Sequence, residues 1–474
     1  MGKIIQMPDR RGRRDSDRRQ ARKQTRPAAT QAKNVVEVEK RVEYRRHIDY
    51  SIVVFLMMLL AFGLVMVYSS SYYVSEVNGE SQAYYFLKQL MCVGFGAVAL
   101  FFFAKFDYHN FLAFDYDEKR LDIQRYRRNP ITKRPYWYIL AASIVMLGLV
   151  WSPLGVEING SRRWINLGIS IQPSEVAKIG VIIFLACSLG LEPKRAKSFR
   201  GYGWYIAMLG IMGGIILTHP NMSAVVCILA LTFCMLIIAG LPGKHVALFF
   251  AGAAVLFVIM LIIAPYRVQR LLGAYFPDKA DQASRWQLQQ SLYSIGAGGL
   301  LGRGLGNSMQ KLLYLPFRES DFIFAIIAEE LGLVGCTLLI TLFALLIWRG
   351  VVTAMNAPDL TGMLIAGGCT AALAIQVCVN IMVTIGLLPT TGVVLPFISY
   401  GGSAIVVFMA MVGMILNVSK QSTAPIPDKK RSIPFVVAAP KGNDDRKRGL
   451  DAKKRRQEQY MIEQKKRNRR SRRR

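Results

Sequence analysis

The chain reads as an all-α integral membrane protein of about ten transmembrane helices. Both termini are expected to be cytoplasmic, with a large extracytoplasmic loop between helices 7 and 8. Three observations carry that expectation. First, charge is segregated. The 474 residues include 60 Lys or Arg and 30 Asp or Glu, a net charge of +30. Residues 1–46 hold 15 basic and 6 acidic residues and residues 420–474 hold 20 and 6, so the two tails carry +23 of that total. Second, long stretches between the tails carry no charge: 50–75, 135–156 and 246–266. The stretch 201–243 is interrupted only by His219, and 360–419 is 60 residues without Asp, Glu, Lys, Arg or His. Third, these stretches do not alternate apolar and polar residues as barrel strands do. About 20 apolar residues cross the hydrocarbon core as a helix, which satisfies its own backbone there. The distribution excludes a soluble enzyme with an even surface. It also argues against a nucleic-acid binder, because the basic residues lie in tails and not on a patterned module.

Ten spans follow, near 50–70, 87–104, 136–152, 174–190, 203–218, 221–240, 246–265, 321–348, 360–385 and 397–418. The fifth and sixth are joined by the short turn Thr218-His219-Pro220-Asn221. Two basic tails on the cytoplasmic side require an even number of spans, and the loops then obey the positive-inside rule. The segments 105–134, 192–200 and 244–245, with Arg349, fall inside. The segment 70–82, which has no Lys or Arg, falls outside, and so does 267–320. The tails are too polar and basic to form a core, so they read as disordered arms near anionic headgroups, where each basic residue contributes about 1 kcal/mol. Residues 1–47 are too polar for a cleavable signal, so the first span is expected to direct insertion. All seven Cys fall in expected spans without metal or redox spacing, and read as small apolar side chains.

Ionisable groups near membrane depth are costly and mark function by default. The first cluster is Asn159-Gly160-Ser161-Arg162-Arg163-Trp164, followed by Gln172-Pro173-Ser174-Glu175-Val176-Ala177-Lys178. Ser174 is a candidate N-cap. Glu175 and Lys178 share a helix face, either as an ion pair closing the helix end or as part of a site. The second is the outer loop, with Arg267, Arg270, Lys279, Arg285, Arg303, Lys311 and Arg318, where so many cations call for an anionic ligand. Its glycine-dense run 296–306 allows either close backbone approach to an anion or a hinge. Acids nearby are few: Asp278, Asp281, Glu319, Asp321, Glu329 and Glu330. The third is 386–403, where Pro389, Pro396 and paired glycines interrupt an apolar region. Broken backbone at that depth belongs where protein or a cavity buries it.

These segments, in this order, resemble the SEDS family (shape, elongation, division and sporulation). The matching runs are Tyr85-Phe86-Leu87-Lys88-Gln89-Leu90, 160–178, Ala264-Pro265-Tyr266-Arg267, 290–306, Ser320-Asp321-Phe322-Ile323-Phe324-Ala325 with Ala328-Glu329-Glu330-Leu331-Gly332, and 388–403. The run 305–316 is closer to the family's division member than to its elongation member. The resemblance implies a ten-span bacterial inner-membrane glycosyltransferase that polymerises lipid II outside the membrane during cell division. An acceptor sugar hydroxyl attacks the anomeric carbon of the donor chain, undecaprenyl pyrophosphate leaves, and a β-1,4 glycan grows. It implies a class B penicillin-binding protein transpeptidase and other divisome proteins as partners, with lipid II, the growing glycan strand and membrane lipids, no nucleic acid, and a place at the septum. The family's essential Asp lies in the loop after the seventh span. Asp281 is its best match, with Asp278 a rival because the spacing to Trp286-Gln287 is one residue short.

The residues suit this chemistry. A sugar hydroxyl is a poor nucleophile and needs a general base, and a pyrophosphate leaving group needs positive charge. No cofactor is assigned, and no metal ligands are identified, though a divalent cation, Mg2+ or Mn2+, could share that second task. On this reading Asp281 is the base and Arg267, Arg285 and Arg303 contact the pyrophosphate. Arg163, Glu175 and Lys178 shape the site, and Lys311, Asp321 and Ser399 also belong to substrate binding. A lipid II flippase, an elongation-type polymerase and a non-catalytic scaffold are the alternatives.

Overall fold

The computed structural model describes residues 48–113, 130–158, 161–166, 170–219, 221–263, 265–279 and 281–421, excluding the side chains of 131, 158, 263–267, 277, 283 and 284. Both tails and residues 114–129 of the expected inner loop lie outside the described residues.

Among the described residues, eight helices are long and apolar enough to cross a membrane. They are α1 (Tyr50–Val77), α2 (Tyr84–Lys105), α4 (Pro173–Leu191), α5 (Phe199–Thr218), α7 (Gly243–Ile263), α10 (Ile323–Met355), α11 (Leu360–Thr384) and α12 (Gly402–Gln421). Two shorter apolar helices, α3 (Pro135–Gly148) and α6 (Met222–Ile238), stand at the third and sixth expected spans. Helix starts follow local chemistry. Asp49 accepts from the Ser51 N–H at the head of α1, and Asp359 from the Gly362 N–H at the head of α11. Pro135 and Pro173 take the first helical position, where a missing N–H costs nothing. For α4 this moves the start one residue ahead of the expected Ser174 cap. Gln172 holds the cap position, and its N–H donates to Ser403 Oγ (3.1 Å).

The core forms around α4, which is buried on nearly every side, with α3, α6 and α11 packed on it. The longest packed pair is α2 with α12. Helix α7 exposes apolar side chains such as Leu248, Phe250, Val255 and Ile262, a surface that suits lipid and not water.

Two departures from the expected architecture bear on the site. Between α3 and α4 lies a small antiparallel sheet, β1 (Gly155–Ile158), β2 (Ser161–Asn166) and β3 (Ser170–Ile171), in the order β1-β2-β3. Alternation along β2 sends Arg162 and Arg163 to opposite faces. Arg162 donates to the Ser152 carbonyl (2.6 Å). The outer segment between α7 and α10 is also not an open loop. It holds a strongly amphipathic helix, α8 (Pro265–Tyr275), and α9 (Gln282–Gly298).

Helix α10 breaks at Gly332 (φ 64°, ψ −162°). The Leu333 and Val334 N–H groups donate to the Gly299 and Leu300 carbonyls, while the Glu329 and Glu330 carbonyls accept from Arg303 and Gly304 N–H. The glycine-dense run therefore meets backbone. An added Cβ at Gly298 would lie 1.8 Å from the Ala328 carbonyl oxygen, and one at Gly302 would lie 2.2 Å from that of Glu330.

Candidate active site

The expected last span does not begin at Phe397. Pro396 has no N–H to donate, and residues 385–401 run without a helix between α11 and α12. Polar side chains from the surrounding helices satisfy this backbone. From α11, Asn380 Nδ2 donates to the Val393 carbonyl (2.6 Å) and Gln376 Nε2 to that of Val394 (3.2 Å). From α2, Gln89 Nε2 donates to the Ser399 carbonyl (3.0 Å). From α8, Arg270 Nη1 donates to the Thr390 carbonyl (2.9 Å) and the Tyr275 hydroxyl to that of Leu387 (2.9 Å). Ser223 of α6 donates to the Thr391 carbonyl. Ser399 is 4% exposed. Its hydroxyl accepts from the Leu395 N–H (2.8 Å) and donates to the Ser320 carbonyl (2.6 Å), so it holds two segments together.

Beside this segment is a cavity of about 210 Å³ bounded by α6, α7, α8 and α11. Met222, Val226, Phe257, Leu261 and Leu271 make it apolar, and Arg163 and Arg270 bring two guanidiniums to it. A smaller polar chamber of about 20 Å³, room for a water, lies against Glu175, Lys178, Asn221, Gln376 and Gly392. The two share Ser223 and Cys227. Lys178 Nζ donates to Glu175 Oε1 (2.8 Å) and to Gln376 Oε1 (2.8 Å). The ion pair thus closes the helix end and, through Gln376, also supports the broken segment. Asn221 accepts from the Ala224 N–H and donates to Ser174 Oγ (both 3.2 Å).

Asp321 lies two residues before α10, at the N-terminal end of that helix. An added Cβ at Gly392 would lie 3.5 Å from Asp321 Oδ2 and 3.9 Å from Arg163 Nη1. Burial, helped by Glu319, pushes its carboxyl up to about 6, against the opposing pull of Arg163 and Arg270.

Arg303, one of the expected pyrophosphate contacts, and Lys311, expected to take part in substrate binding, both have protein partners. Arg303 Nη1 lies 3.3 Å from Glu329 Oε1, with its side chain 44% exposed. Lys311, 1% exposed, donates to Glu330 Oε1 (2.9 Å). Glu329 also accepts from Ser294, from Ser308 and from the Met309 N–H, and Glu330 from Ser69. These two buried carboxylates anchor the 303–311 segment onto α10 and α1. The sequence sign of that role was two adjacent acids in an otherwise apolar helix.

Asp281 stands at the cap position of α9 on the exposed surface, without a side-chain capping bond, and its N–H donates to Gln269 Oε1 (3.2 Å). Arg285 Nη1 lies 4.0 Å from Asp278 Oδ1, both exposed. Arg267 is on α8, and its side chain lies outside the described residues. The structure thus groups Arg163, Arg270, Asp321, Glu175 and Lys178 around the broken segment, and Asp278, Asp281 and Arg285 at the α8–α9 turn. Arg270, which the sequence marked only as one of several loop cations, is the charged residue of α8 among those lining the cavity. Among the described residues no group of three or more His, Cys, Asp or Glu is arranged to hold a metal.

Comparison with known proteins is consistent with this arrangement. The profile of the FtsW/RodA/SpoVE family, described as cell cycle protein, matches residues 124–424. Stage V sporulation protein E of Bacillus subtilis is 38% identical over 381 residues, covering 79% of this chain and 97% of that protein. A probable peptidoglycan glycosyltransferase FtsW of Coxiella burnetii is 37% identical over 383 residues, covering 79% and 96%. A solved chain described under "structural coordination of polymerization and crosslinking by a peptidoglycan synthase complex" superposes with a TM-score of 0.61 at 27% identity, covering 80% of this chain and 98% of that one. On the profile match and on identities above a third along nearly the whole of both relatives, this multi-pass membrane protein belongs to the FtsW/RodA/SpoVE family, the SEDS proteins.

Proposed function

We propose that the chain is a peptidoglycan glycosyltransferase that polymerises lipid II into β-1,4 glycan strands during bacterial cell division. The observation that carries this reading is the cavity: apolar walls for a polyprenyl chain, two guanidiniums for a diphosphate, and exposed Asp281 on the following turn. Relatives named peptidoglycan glycosyltransferase support it.

In the reaction, Asp281 takes the proton of the acceptor hydroxyl as its oxygen bonds to the anomeric carbon of the donor sugar. The bond from that carbon to the diphosphate oxygen breaks, and the electron pair leaves with the diphosphate. Arg163 and Arg270 stabilise the charge that develops there. The leaving group needs no proton, so a single carboxylate suffices. Glu175, Lys178, Ser399 and the Glu329–Glu330 anchors hold the walls in place. Arg285 and Arg303, partly exposed on the outer segment, are placed to steer anionic lipid toward the cavity. A class B penicillin-binding protein is the partner we assign, by analogy with the solved synthase complex, and the septum is the site of action.

The test uses the purified full-length chain, lipid II in detergent and its transpeptidase partner, with glycan strands resolved on a gel. Wild type is expected to make strands and Asp281→Ala none. Strands from the variant would remove Asp281 as base. A wild type that never polymerises, even with its partner, would favour lipid transport.

A further inference from the structure

A polymerising transferase has two opposed needs at one diphosphate. It must hold the group while the glycosidic bond forms and release it afterwards. Two guanidiniums in an apolar cavity favour holding, because attraction is strong where water is scarce. The structure supplies a counterweight. Asp321 does not line the cavity. It stands behind the wall across Gly392, whose φ of +72° and missing side chain leave the space between the Asp321 carboxylate and Arg163 open. The Asp321 backbone is fixed from α11, since its carbonyl accepts from Asn380 Nδ2 (2.8 Å). The neighbouring Tyr400 N–H donates to the Glu319 carbonyl (2.9 Å), and Ser399 Oγ donates to that of Ser320. The backbone that carries the carboxylate is therefore fixed beside Gly392.

The charged groups that face Asp321 are Glu319 on its own segment, Arg163 from β2 and Arg270 from α8. The neighbours of Asp321 on α11 and the broken segment, Asn380 and Gly392, are neutral. Burial and Glu319 raise the carboxyl to about 6, so Asp321 is ionised at neutral pH and becomes neutral as pH falls through that value.

Resting on the lipid-diphosphate reading above, we propose that Asp321 is a positioning residue for product release: its negative charge, felt by both Arg163 and Arg270, offsets part of their hold on the diphosphate and keeps that hold reversible.

The test measures binding of farnesyl diphosphate to the full-length chain in detergent by titration calorimetry, for wild type and Asp321→Asn at pH 7.5 and 5.5. The probe titrates identically with both proteins, so the ratio of affinities isolates Asp321. At pH 7.5 the variant is expected to bind on the order of tenfold tighter. At pH 5.5 the ratio should approach one, because wild-type Asp321 is then protonated. In the polymerisation assay the variant should show a lower KM with a lower kcat. Equal or weaker binding by the variant at pH 7.5, or a ratio that does not change with pH, would overturn the proposal. Should the variant not fold, wild type alone decides through farnesyl sulfate, whose charge is fixed over this range. Its affinity should rise as pH falls through about 6, and a flat profile counts against the proposal. Failure of wild type to bind the diphosphate at all removes the cavity reading and this proposal together, whereas binding without an Asp321 effect removes this proposal alone.

Discussion

Lys311 and Glu330 show what a single residue does when it is buried with its charge. Their side chains are 1% and 0% exposed and 2.9 Å apart. Taking two ions from water costs several kcal/mol, and the pair is tolerated only because each has a partner: Lys311 also stands over the Tyr72 ring, and Glu330 also accepts from Ser69. Removing one partner strands the other. Lys311→Met is expected to lower stability by about 3–5 kcal/mol, and adding Glu330→Leu to recover much of that loss. Thermal unfolding in detergent reads both. If the double variant is no better than the single, the loss does not come from a stranded charge. Sequence reading placed Arg303 against a pyrophosphate, and Lys311 among the substrate-binding residues, because a loop rich in cations asks for an anion. It could not show that Glu329 and Glu330, on the next helix, are turned back under that loop, since this depends on the Gly332 break.

At the scale of elements, charge-free length was legible, and the apolar helices overlap the stretches hydropathy marked, the last one starting only at Gly402. Interruptions within the outer segments were harder to read. The β1–β2 hairpin was signalled only by Asn159-Gly160 inside a short stretch, and α8 only by its period, with Arg267 and Arg270 three apart. The 385–401 break was legible from Pro389, Pro396 and the glycines, but the side chains that satisfy it come from the adjoining α11 and from three helices distant in sequence, α2, α6 and α8. A counterpart at the opposite end ties the other ends of the bundle. His109, just after α2, lies between Asp107 (2.8 Å) and Asp359, the cap of α11 (2.7 Å), while Gln421 of α12 donates to Asp107 (3.0 Å). Burial opposes charge on the imidazole, but hydrogen bonds to the two carboxylates outweigh it and push His109 up to about 9. A raised folded pKa means the contribution is complete below the unfolded value near 6.5 and is lost as pH rises through about 9. Up to about 3 kcal/mol should therefore disappear between pH 6.5 and 9.5. Unfolding temperature followed across that range should fall for wild type and stay flatter for His109→Gln. Parallel curves would mean that the imidazolium is not what joins these elements.

For the whole molecule, the separation of a neutral apolar middle from basic ends made the membrane class legible before any motif was considered. The architecture adds a direction. Loops rich in Lys and Arg collect at one end of the bundle, while the cavity, Asp321 and the α8–α9 turn collect at the other, where a basic surface runs against the usual topological bias. The account requires that second end to face outward, where lipid-linked sugars are joined. Asn307 is exposed on the outer segment, and Lys194 is exposed between α4 and α5. Single added cysteines at these two positions, treated with a membrane-impermeant maleimide in spheroplasts, test the claim directly. The account predicts that Asn307→Cys is labelled in intact spheroplasts and Lys194→Cys only after permeabilisation. The reverse pattern would put the arginine-lined cavity on the cytoplasmic side and contradict the account.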